Sequence, residues 1–428
     1  MIKRSFIGLA KPLIEYEVLD IAPPEPREIP ISTRATLFLN RSYDPKESTL
    51  FNIGDKVKTG QKISPAENKD AYVISSVTGT ISTISSFYGE YGKSYTAISI
   101  DVDENEEIDD QFNAVAENPT LDTAANYLSG VPGNPSFDIF FDSEKPIHTI
   151  IICGVDSDLL VTTNQYTVKT DLYAIEKGIR ILRQITGVDH IFIAVPENLM
   201  QDAVVSGAEV RIVDANYPSA LPHLMVQSIL GQVVPAGKTC EDIGVSFFHA
   251  EAVASIGKAF DEGKIPALKR LTFIDKNGEK TLVQARIGTP VSEVINAFDV
   301  DLNEKDRIIF GGPMTGSSIY SVDLPIQADT DAIIVQDKDR IDLVSDYPCI
   351  NCGECVRACP ANIPINMLVR FLEAGQYEDA ADQYDLYSCI ECGLCSFVCV
   401  SKMPIFHYIK LAKYELDRIR TVEAMNAQ

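Results

Sequence analysis

The chain has 428 residues, of which 45% are hydrophobic, so it is long enough for several domains that each bury a core. Its formal charge of −24 argues against a nucleic-acid surface, because phosphate binding needs clustered lysine and arginine, and against direct adhesion to an anionic membrane. No apolar run approaches the roughly eighteen residues of a membrane-spanning helix, so we expect no direct membrane span.

The start of the chain predicts that the protein stays in the compartment where it is made. The first residues are basic, but Glu15, Glu17 and Asp20 follow too soon for the apolar core of a secretory signal. Thiols in that compartment remain reduced, so clustered cysteines indicate metal binding rather than disulfides.

The first hundred residues predict β-structure. Apolar and polar residues alternate in Phe51–Ile63 and again in Ala71–Ile84, with glycines at the turns, as in half of a lipoyl-type sandwich. Lys69 falls near the modified lysine of such domains, but its surroundings match poorly, so an unmodified barrel-sandwich domain is expected. The acidic run Asp101–Asn113 then forms a solvated linker.

The next block alternates strands with helices. Short buried strands are predicted at His148–Val155, His190–Val195 and Glu209–Ala215, and helices at Gln165–Ile185 and Leu221–Gly231. This alternation predicts βαβ units and a largely parallel sheet, whose ligands lie at the carboxyl ends of the strands. The turn "GVDSDLLVTT" after the first strand is therefore the expected ligand site.

The last third predicts a small β-grasp module and then helices. Lys269–Phe298 contains two strands around Asn277-Gly278 and a short helix, and Ile308–Gly316 closes the module. Helical periodicity marks Pro364–Tyr384 and Phe406–Arg420.

Eight of the ten cysteines form two C-x2-C-x2-C-x3-C motifs. Three cysteines of such a motif can hold one face of a cubane cluster, and the fourth ligates the other cluster in two-cluster ferredoxins. Structural zinc normally uses two C-x2-C pairs, which leaves the extra cysteines without a role. On the ferredoxin pattern, one [4Fe-4S] cluster is held by Cys349, Cys352, Cys355 and Cys399, and a second by Cys389, Cys392, Cys395 and Cys359.

Taken in chain order, these blocks resemble the C subunit of the Rnf complex, the ion-pumping ferredoxin:NAD oxidoreductase. The resemblance covers about residues 45–415 and rests on "GDKVKTGQ", "GVDSDLLVTT", "YPSA", "ARIGTPV", "GGPMTG" and "CIECGLC". Related chains are the A subunit of the sodium-pumping NADH:quinone reductase, the NADH-binding flavoprotein subunit of respiratory complex I, and a corrinoid reductase.

The resemblance implies a multidomain fold of α/β and α+β parts. Its expected domains are a barrel-sandwich hybrid at 1–105, a complex I flavoprotein-like α/β domain at 114–262, a β-grasp module at 263–335, and an α-helical two-cluster ferredoxin domain at 340–428.

The resemblance also implies a function. Such a subunit sits peripherally on the cytoplasmic face of the inner membrane and docks on membrane-embedded and flavin- or iron-sulfur-carrying subunits. It relays electrons through its two clusters and handles NADH through FMN. Three alternatives stay open: a relay that has lost nucleotide chemistry, an NADH dehydrogenase subunit with bound FMN, and a soluble reductase of a corrinoid enzyme.

The expected flavin loop departs from the family pattern G-x-G-G-A-x-F-P. The matching stretch is Leu128–Asp138, "LSGVPGNPSFD", which keeps Gly130 and Gly133 as candidate FMN contacts. It also contains Pro132 and Pro135, which remove amide donors that a phosphate cradle needs.

Three further residues are candidate FMN or NADH contacts by resemblance. Asp156 and Asp158 stand where the family has two glutamates, and Tyr217 belongs to a "YPSA" stretch near the family's flavin pocket, where Ala220 replaces glycine. The alternative for the two acids is a helix-capping, loop-closing pair. The sequence leaves FMN and NADH binding open.

Overall fold

The computed structural model describes residues 13–19, 22–43, 50–65, 71–341, 344–345 and 347–426. Lys69 and the first twelve residues lie outside these ranges.

The first module is a barrel sandwich of short strands. They are β2 (Arg34–Leu39), β3 (Lys56–Val57), β4 (Lys62–Ile63), β5 (Val73–Ile74), β6 (Gly79–Tyr88) and β7 (Ser94–Val102), and a two-residue strand, β1 (Arg27–Glu28), precedes them in the chain. An antiparallel sheet in the order β2-β7-β6-β3 and the β4–β5 hairpin enclose an apolar core that includes Leu39, Ile81 and Ile98. A Cβ atom at Gly79 would lie 2.2 Å from the Asp101 carbonyl, so this strand pair requires glycine there.

The second module is an α/β unit around a four-stranded parallel sheet in the order β10-β9-β8-β11. Its elements are α1 (Gln111–Ala116), α2 (Leu121–Tyr127), β8 (Thr149–Cys153), α3 (Thr163–Thr170), α4 (Leu172–Thr186), β9 (His190–Val195), α5 (Met200–Ala203), β10 (Glu209–Ile212), α6 (Pro222–Met225), β11 (Val245–His249) and α7 (Ala250–Glu262). The predicted parallel sheet is confirmed.

Two details of this module differ from the prediction. Gln165–Ile185 is not one helix, because the chain leaves helical geometry at Asp171, whose carboxylate accepts hydrogen bonds from Lys258 (2.6 Å) and Arg270 (2.7 Å). The strand predicted at Glu209–Ala215 is shorter and is not buried, because β10 lies at the edge of the sheet, next to β9.

The third module is a mixed six-stranded sheet in the order β1-β13-β12-β16-β14-β15. Its own elements are β12 (Leu268–Ile274), β13 (Lys280–Arg286), α8 (Val291–Ala297), β14 (Arg307–Phe310), β15 (Ser317–Ile319) and β16 (Ala332–Gln336). The hairpin predicted at Asn277-Gly278 is confirmed, since β12 and β13 pair antiparallel across it. Strand β1 pairs in parallel with β13, so the N-terminal segment also joins this sheet.

The last module is helical and consists of α9 (Glu354–Ala358), α10 (Ile365–Glu373), α11 (Tyr377–Gln383), α12 (Leu394–Phe397) and α13 (Ile405–Asn426). The helical run predicted at Pro364–Tyr384 is divided between α10 and α11 at Gly375, which has a φ of +70°. Across the described ranges, no helix is both long enough and apolar enough to cross a membrane.

Candidate iron–sulfur centre and flavin site

The two cysteine motifs fold into loops of the same shape. In the first loop Asn351 and Gly353 have positive φ angles of 57° and 77°, and in the second loop Glu391 and Gly393 have 57° and 71°. A short helix, α9 or α12, follows each loop directly. The left-handed residues turn the chain tightly between successive cysteines, as three ligands from one short loop require.

Two small cavities collect the cysteines in crossed groups. The first set is Cys349, Cys352, Cys355 and Cys399, and the second set is Cys359, Cys389, Cys392 and Cys395. Each cavity therefore has three cysteines from one motif and one from the other. Among the described residues, no group of three or more histidine, cysteine, aspartate or glutamate side chains is arranged around a single metal-ion position.

The chemistry of these thiols fits iron–sulfur clusters. Burial, together with neighbouring thiols, raises the pKa of Cys355 to about 11 and that of Cys392 to about 12. Iron binds thiolates, so a bound cationic core is what would hold several buried thiolates side by side. Apolar side chains complete the cavities, among them Val369 and Ile405 in the first and Ile365 and Phe406 in the second.

The first set lies at the protein surface. Cys352 is exposed, and the neighbouring Ile350 and Tyr347 expose 63% and 77% of their surface. Val344, which precedes them in the chain, is also exposed. The amide of Ser345 donates to the carbonyl of Lys402, so this segment lies beside the loop that carries Cys399.

The second set lies against the other modules. The Tyr217 hydroxyl of the α/β unit donates to the Cys392 carbonyl at 2.7 Å. Within the helical module, Lys413 of α13 donates to the Cys389 carbonyl at the same distance. A Cβ atom at Gly393 would lie 2.4 Å from the Met314 carbonyl. The α/β unit and the β-grasp module thus cover this loop closely.

The two candidate glycines do not form a phosphate cradle. Gly133, with a φ of +89°, donates its amide to the Ala328 carbonyl at 2.8 Å, and its Cα faces Ala252 so closely that an added Cβ would lie 2.4 Å from that backbone nitrogen. Gly130 borders a cavity of about 590 Å³ between the barrel sandwich and the α2 region. Gly133 therefore serves helix packing, and its amide is already used.

Asp156 closes the turn after β8. It is 2% exposed and accepts hydrogen bonds from the Thr163 hydroxyl and the Asn164 amide, both at 2.9 Å, and longer ones from Gln165. These donors belong to the start of α3, so the carboxylate serves as a helix cap.

Asp158 joins the α/β unit to the "GGPMTG" loop. It is 5% exposed and accepts hydrogen bonds from the Met314 amide (3.1 Å), the Thr315 amide (2.8 Å) and the Thr315 hydroxyl (2.6 Å). A Cβ atom at Gly312 would lie 2.3 Å from the Asp158 carboxyl carbon, so glycine is required for this contact.

An ionic network, which had no sequence signal, occupies the carboxyl end of β11. Lys269 is fully buried and contacts Glu251 at 2.5 Å and Asp331 at 3.0 Å. His249 at the end of β11 contacts Asn164, which in turn donates to Asp156. These groups come from β12, α7 and the segment before β16, so only the tertiary fold assembles them.

The five candidate residues therefore do not form a flavin site together. Four of the five candidates already form hydrogen bonds within the protein: Gly133, Asp156, Asp158 and Tyr217. Gly130 lies apart from them on another cavity. The five candidates do not converge on one pocket.

Three family models match the chain. Residues 25–105 match the RnfC barrel sandwich hybrid domain, residues 138–258 the Nuo51 FMN-binding domain, and residues 341–400 the 4Fe-4S dicluster domain. This chain is a relative of the Rnf C subunits. The fold class predicted from the sequence is confirmed, and the dicluster match supports two [4Fe-4S] clusters.

Curated relatives carry the same resemblance. The C subunit of the ion-translocating oxidoreductase complex is 25% identical over 379 residues in Pectobacterium carotovorum, where the alignment covers 84% of this chain and 51% of the relative. The Rhodobacter capsulatus protein of the same name is 28% identical, with 63% and 54% covered. The C subunit of the proton-translocating ferredoxin:NAD(+) oxidoreductase complex of Clostridium ljungdahlii is 26% identical, with 84% and 83% covered.

The chain spans about half the length of the first two of these relatives. Among solved structures, an NAD+-reducing [NiFe]-hydrogenase in the H2-reduced state aligns with a TM-score of 0.47 and 12% identity, over 74% of this chain and 69% of that one.

Proposed function

We propose that the chain is an electron-transfer subunit of a membrane-associated, Rnf-like redox complex. The observation that supports this most is the crossed arrangement of eight cysteines around two cavities. When bound, two [4Fe-4S] clusters would supply one-electron transfer between neighbouring sites. Cys349, Cys352, Cys355 and Cys399 would hold the first cluster, and Cys359, Cys389, Cys392 and Cys395 the second.

The two cysteine sets are buried to different extents, which indicates which of them would face a partner subunit. The loop of the first set carries the exposed Cys352 and the apolar Ile350 and Tyr347, so this face would exchange electrons with another subunit. Such partners would be membrane-embedded or would carry flavin or iron–sulfur groups, on the cytoplasmic face of the membrane. The second set is covered by the α/β unit, so its cluster would be the buried one of the two in the relay.

The hydrogen bonds of Asp156, Asp158 and Gly133 favour a relay without FMN over an NADH dehydrogenase subunit. They leave the α/β unit a structural role, because it covers the second cysteine set and connects it to the β-grasp module.

Anaerobic purification of the full chain tests this function. We expect about eight irons and eight sulfides per chain, no bound flavin, and reduction of the clusters by dithionite but not by NADH. Bound FMN with bleaching by NADH would instead establish the dehydrogenase. Bound zinc with little iron would refute the cluster assignment itself.

A further inference from the structure

Tyr217 is fixed at the junction between the α/β unit and the second cysteine loop. It is 4% exposed, and its ring lies 5.4 Å from that of Tyr16. Its amide donates to the Ile14 carbonyl at 2.7 Å, and the Ala220 amide donates to the Tyr16 hydroxyl at 3.1 Å. The N-terminal segment therefore holds the ring of Tyr217 in place.

The Tyr217 hydroxyl is a donor to the second loop. A phenol ordinarily keeps its proton near neutral pH, so this hydroxyl has a proton to donate. The proton is directed at the carbonyl of Cys392, 2.7 Å away, which is a residue of the second cysteine set.

The matching carbonyl of the first loop has a different partner. Cys352 and Cys392 are the second cysteines of their motifs, and the Cys352 carbonyl accepts a hydrogen bond from Arg357 at 3.3 Å. That contact is exposed, so water screens it, whereas the contact of Tyr217 is buried. The two loops are alike in backbone, but the carbonyls of their second cysteines have different donors, and Lys413 is a further donor to the second loop at the Cys389 carbonyl.

We infer that Tyr217 is a positioning residue that raises the reduction potential of the second cluster and leaves that of the first unchanged. Reduction adds one negative charge to the cluster, and a fixed hydroxyl dipole whose positive end points at a ligand residue stabilises that charge. Without the hydroxyl, the buried Cys392 carbonyl keeps its negative end without a donor, which disfavours the reduced state. This inference rests on the proposed two-cluster relay.

The test compares Tyr217→Phe with Tyr16→Phe in the full chain. Both changes remove one buried phenolic oxygen from neighbouring rings, but only the first removes the hydrogen bond to the cysteine loop. Redox titration followed by electron paramagnetic resonance should show two reduction steps. In Tyr217→Phe one step should move to lower potential, and in Tyr16→Phe neither step should move as far.

The step that moves should be the one retained in Cys399→Ser, which removes a ligand of the first cluster. Equal iron content and equal thermal midpoints of the two tyrosine variants would exclude a general loss of folding. If both steps stay in place in Tyr217→Phe while iron content is full, the inference is wrong although the relay stands. If Tyr217→Phe instead releases flavin, Tyr217 belongs to a flavin site, and wild-type protein without iron would refute the relay itself.

Discussion

Lys269 is a fully buried cation between the α/β unit and the β-grasp sheet. Burial alone would lower its pKa, but the Glu251 and Asp331 carboxylates outweigh burial and hold it above the ordinary value. For Asp331 the effects have the opposite sign: burial alone would raise its pKa, but Lys269 and His249 outweigh burial and lower it. Lys269 and Asp331 are therefore charged near neutral pH, and each depends on its partners.

Lys269→Met should destabilise the fold by about 3–5 kcal/mol at pH 7, because it leaves the buried Glu251 and the partly exposed Asp331 without their cation. The free energy of unfolding from urea titration measures this loss. The matched control is Lys280→Met, whose pair with Glu17 is about one-third exposed, and there the loss should stay below about 1 kcal/mol. Equal losses in the two variants would contradict the assignment.

The same variant has an expected pH dependence. In wild type the folded pKa of Asp331 is depressed, so its contribution to stability is present above the unfolded value near 4 and is lost as pH falls below it. In Lys269→Met the unpaired carboxylates bind protons more tightly in the folded state, so the variant gains stability as pH falls from about 7 to about 5. The difference in the free energy of unfolding between Lys269→Met and wild type should therefore become smaller from about pH 7 to about pH 5. A difference that does not change with pH would show that the lost charge is not its cause.

Helices α4 and α7 cross with their backbones almost in contact. A Cβ atom at Gly257 would lie 1.9 Å from the Ala174 carbonyl, and one at Gly178 would lie 2.1 Å from the Val253 carbonyl. Both clashes are with backbone atoms, which cannot turn aside as a side chain can. Small residues at these two positions thus set the distance between the helices.

Gly257→Ala should cost about 1–3 kcal/mol in the free energy of unfolding, because forcing the helices apart outweighs the roughly 1 kcal/mol by which alanine favours a helix. Gly130→Ala is the control, since no heavy atom lies within 4 Å of an added Cβ there and the change should stay within about 0.5 kcal/mol. A neutral Gly257→Ala in urea titration would contradict this close crossing.

The fourth cysteine of each motif lies in the cavity of the other motif, and this arrangement predicts how serine variants should group. Cys399→Ser should match Cys349→Ser, and Cys359→Ser should match Cys389→Ser, in the residual cluster that electron paramagnetic resonance detects. Variants grouped by motif, with Cys359→Ser resembling Cys349→Ser, would instead mean that each motif holds its own cluster.

Elements with a local pattern could be predicted from the sequence, whereas contacts between distant segments could not. The strands at His190–Val195 and around Asn277-Gly278 follow from apolar runs and a turn signal. The break at Asp171 depends on Lys258 and Arg270, which lie 87 and 99 residues further along the chain. The local sequence of a helical run gives no information about partners so far along the chain.

The candidate site shows the same division. The spacing of the cysteines is a local pattern, and it predicts the groups that the cavities collect. By contrast, Tyr217 resembles a flavin contact in sequence, while its hydroxyl meets Cys392, 175 residues away. Asp158 similarly reaches Thr315 across two modules. Tertiary packing, and not the local sequence, sets the partners of both residues.

At the scale of the whole molecule, the modules cover the two cysteine sets unequally. The loop of the first set has an exposed cysteine and exposed Ile350 and Tyr347 beside it. The loop of the second set lies under Tyr217 and Met314. Solvent and small reagents therefore reach one end of the proposed relay much more easily than the other.

This difference predicts two rates of cluster loss. Under air or a ferric oxidant, the first cluster should be lost first, because Cys352 is exposed, and an intermediate with about four irons per chain should accumulate. Iron analysis and electron paramagnetic resonance at timed intervals measure the two phases. Cys399→Ser, which keeps the second cluster, should show only the slow phase, and Cys359→Ser only the fast phase. If both variants lose iron at one rate, cover by the other modules does not protect the second cluster, and the α/β unit must act on the relay in another way.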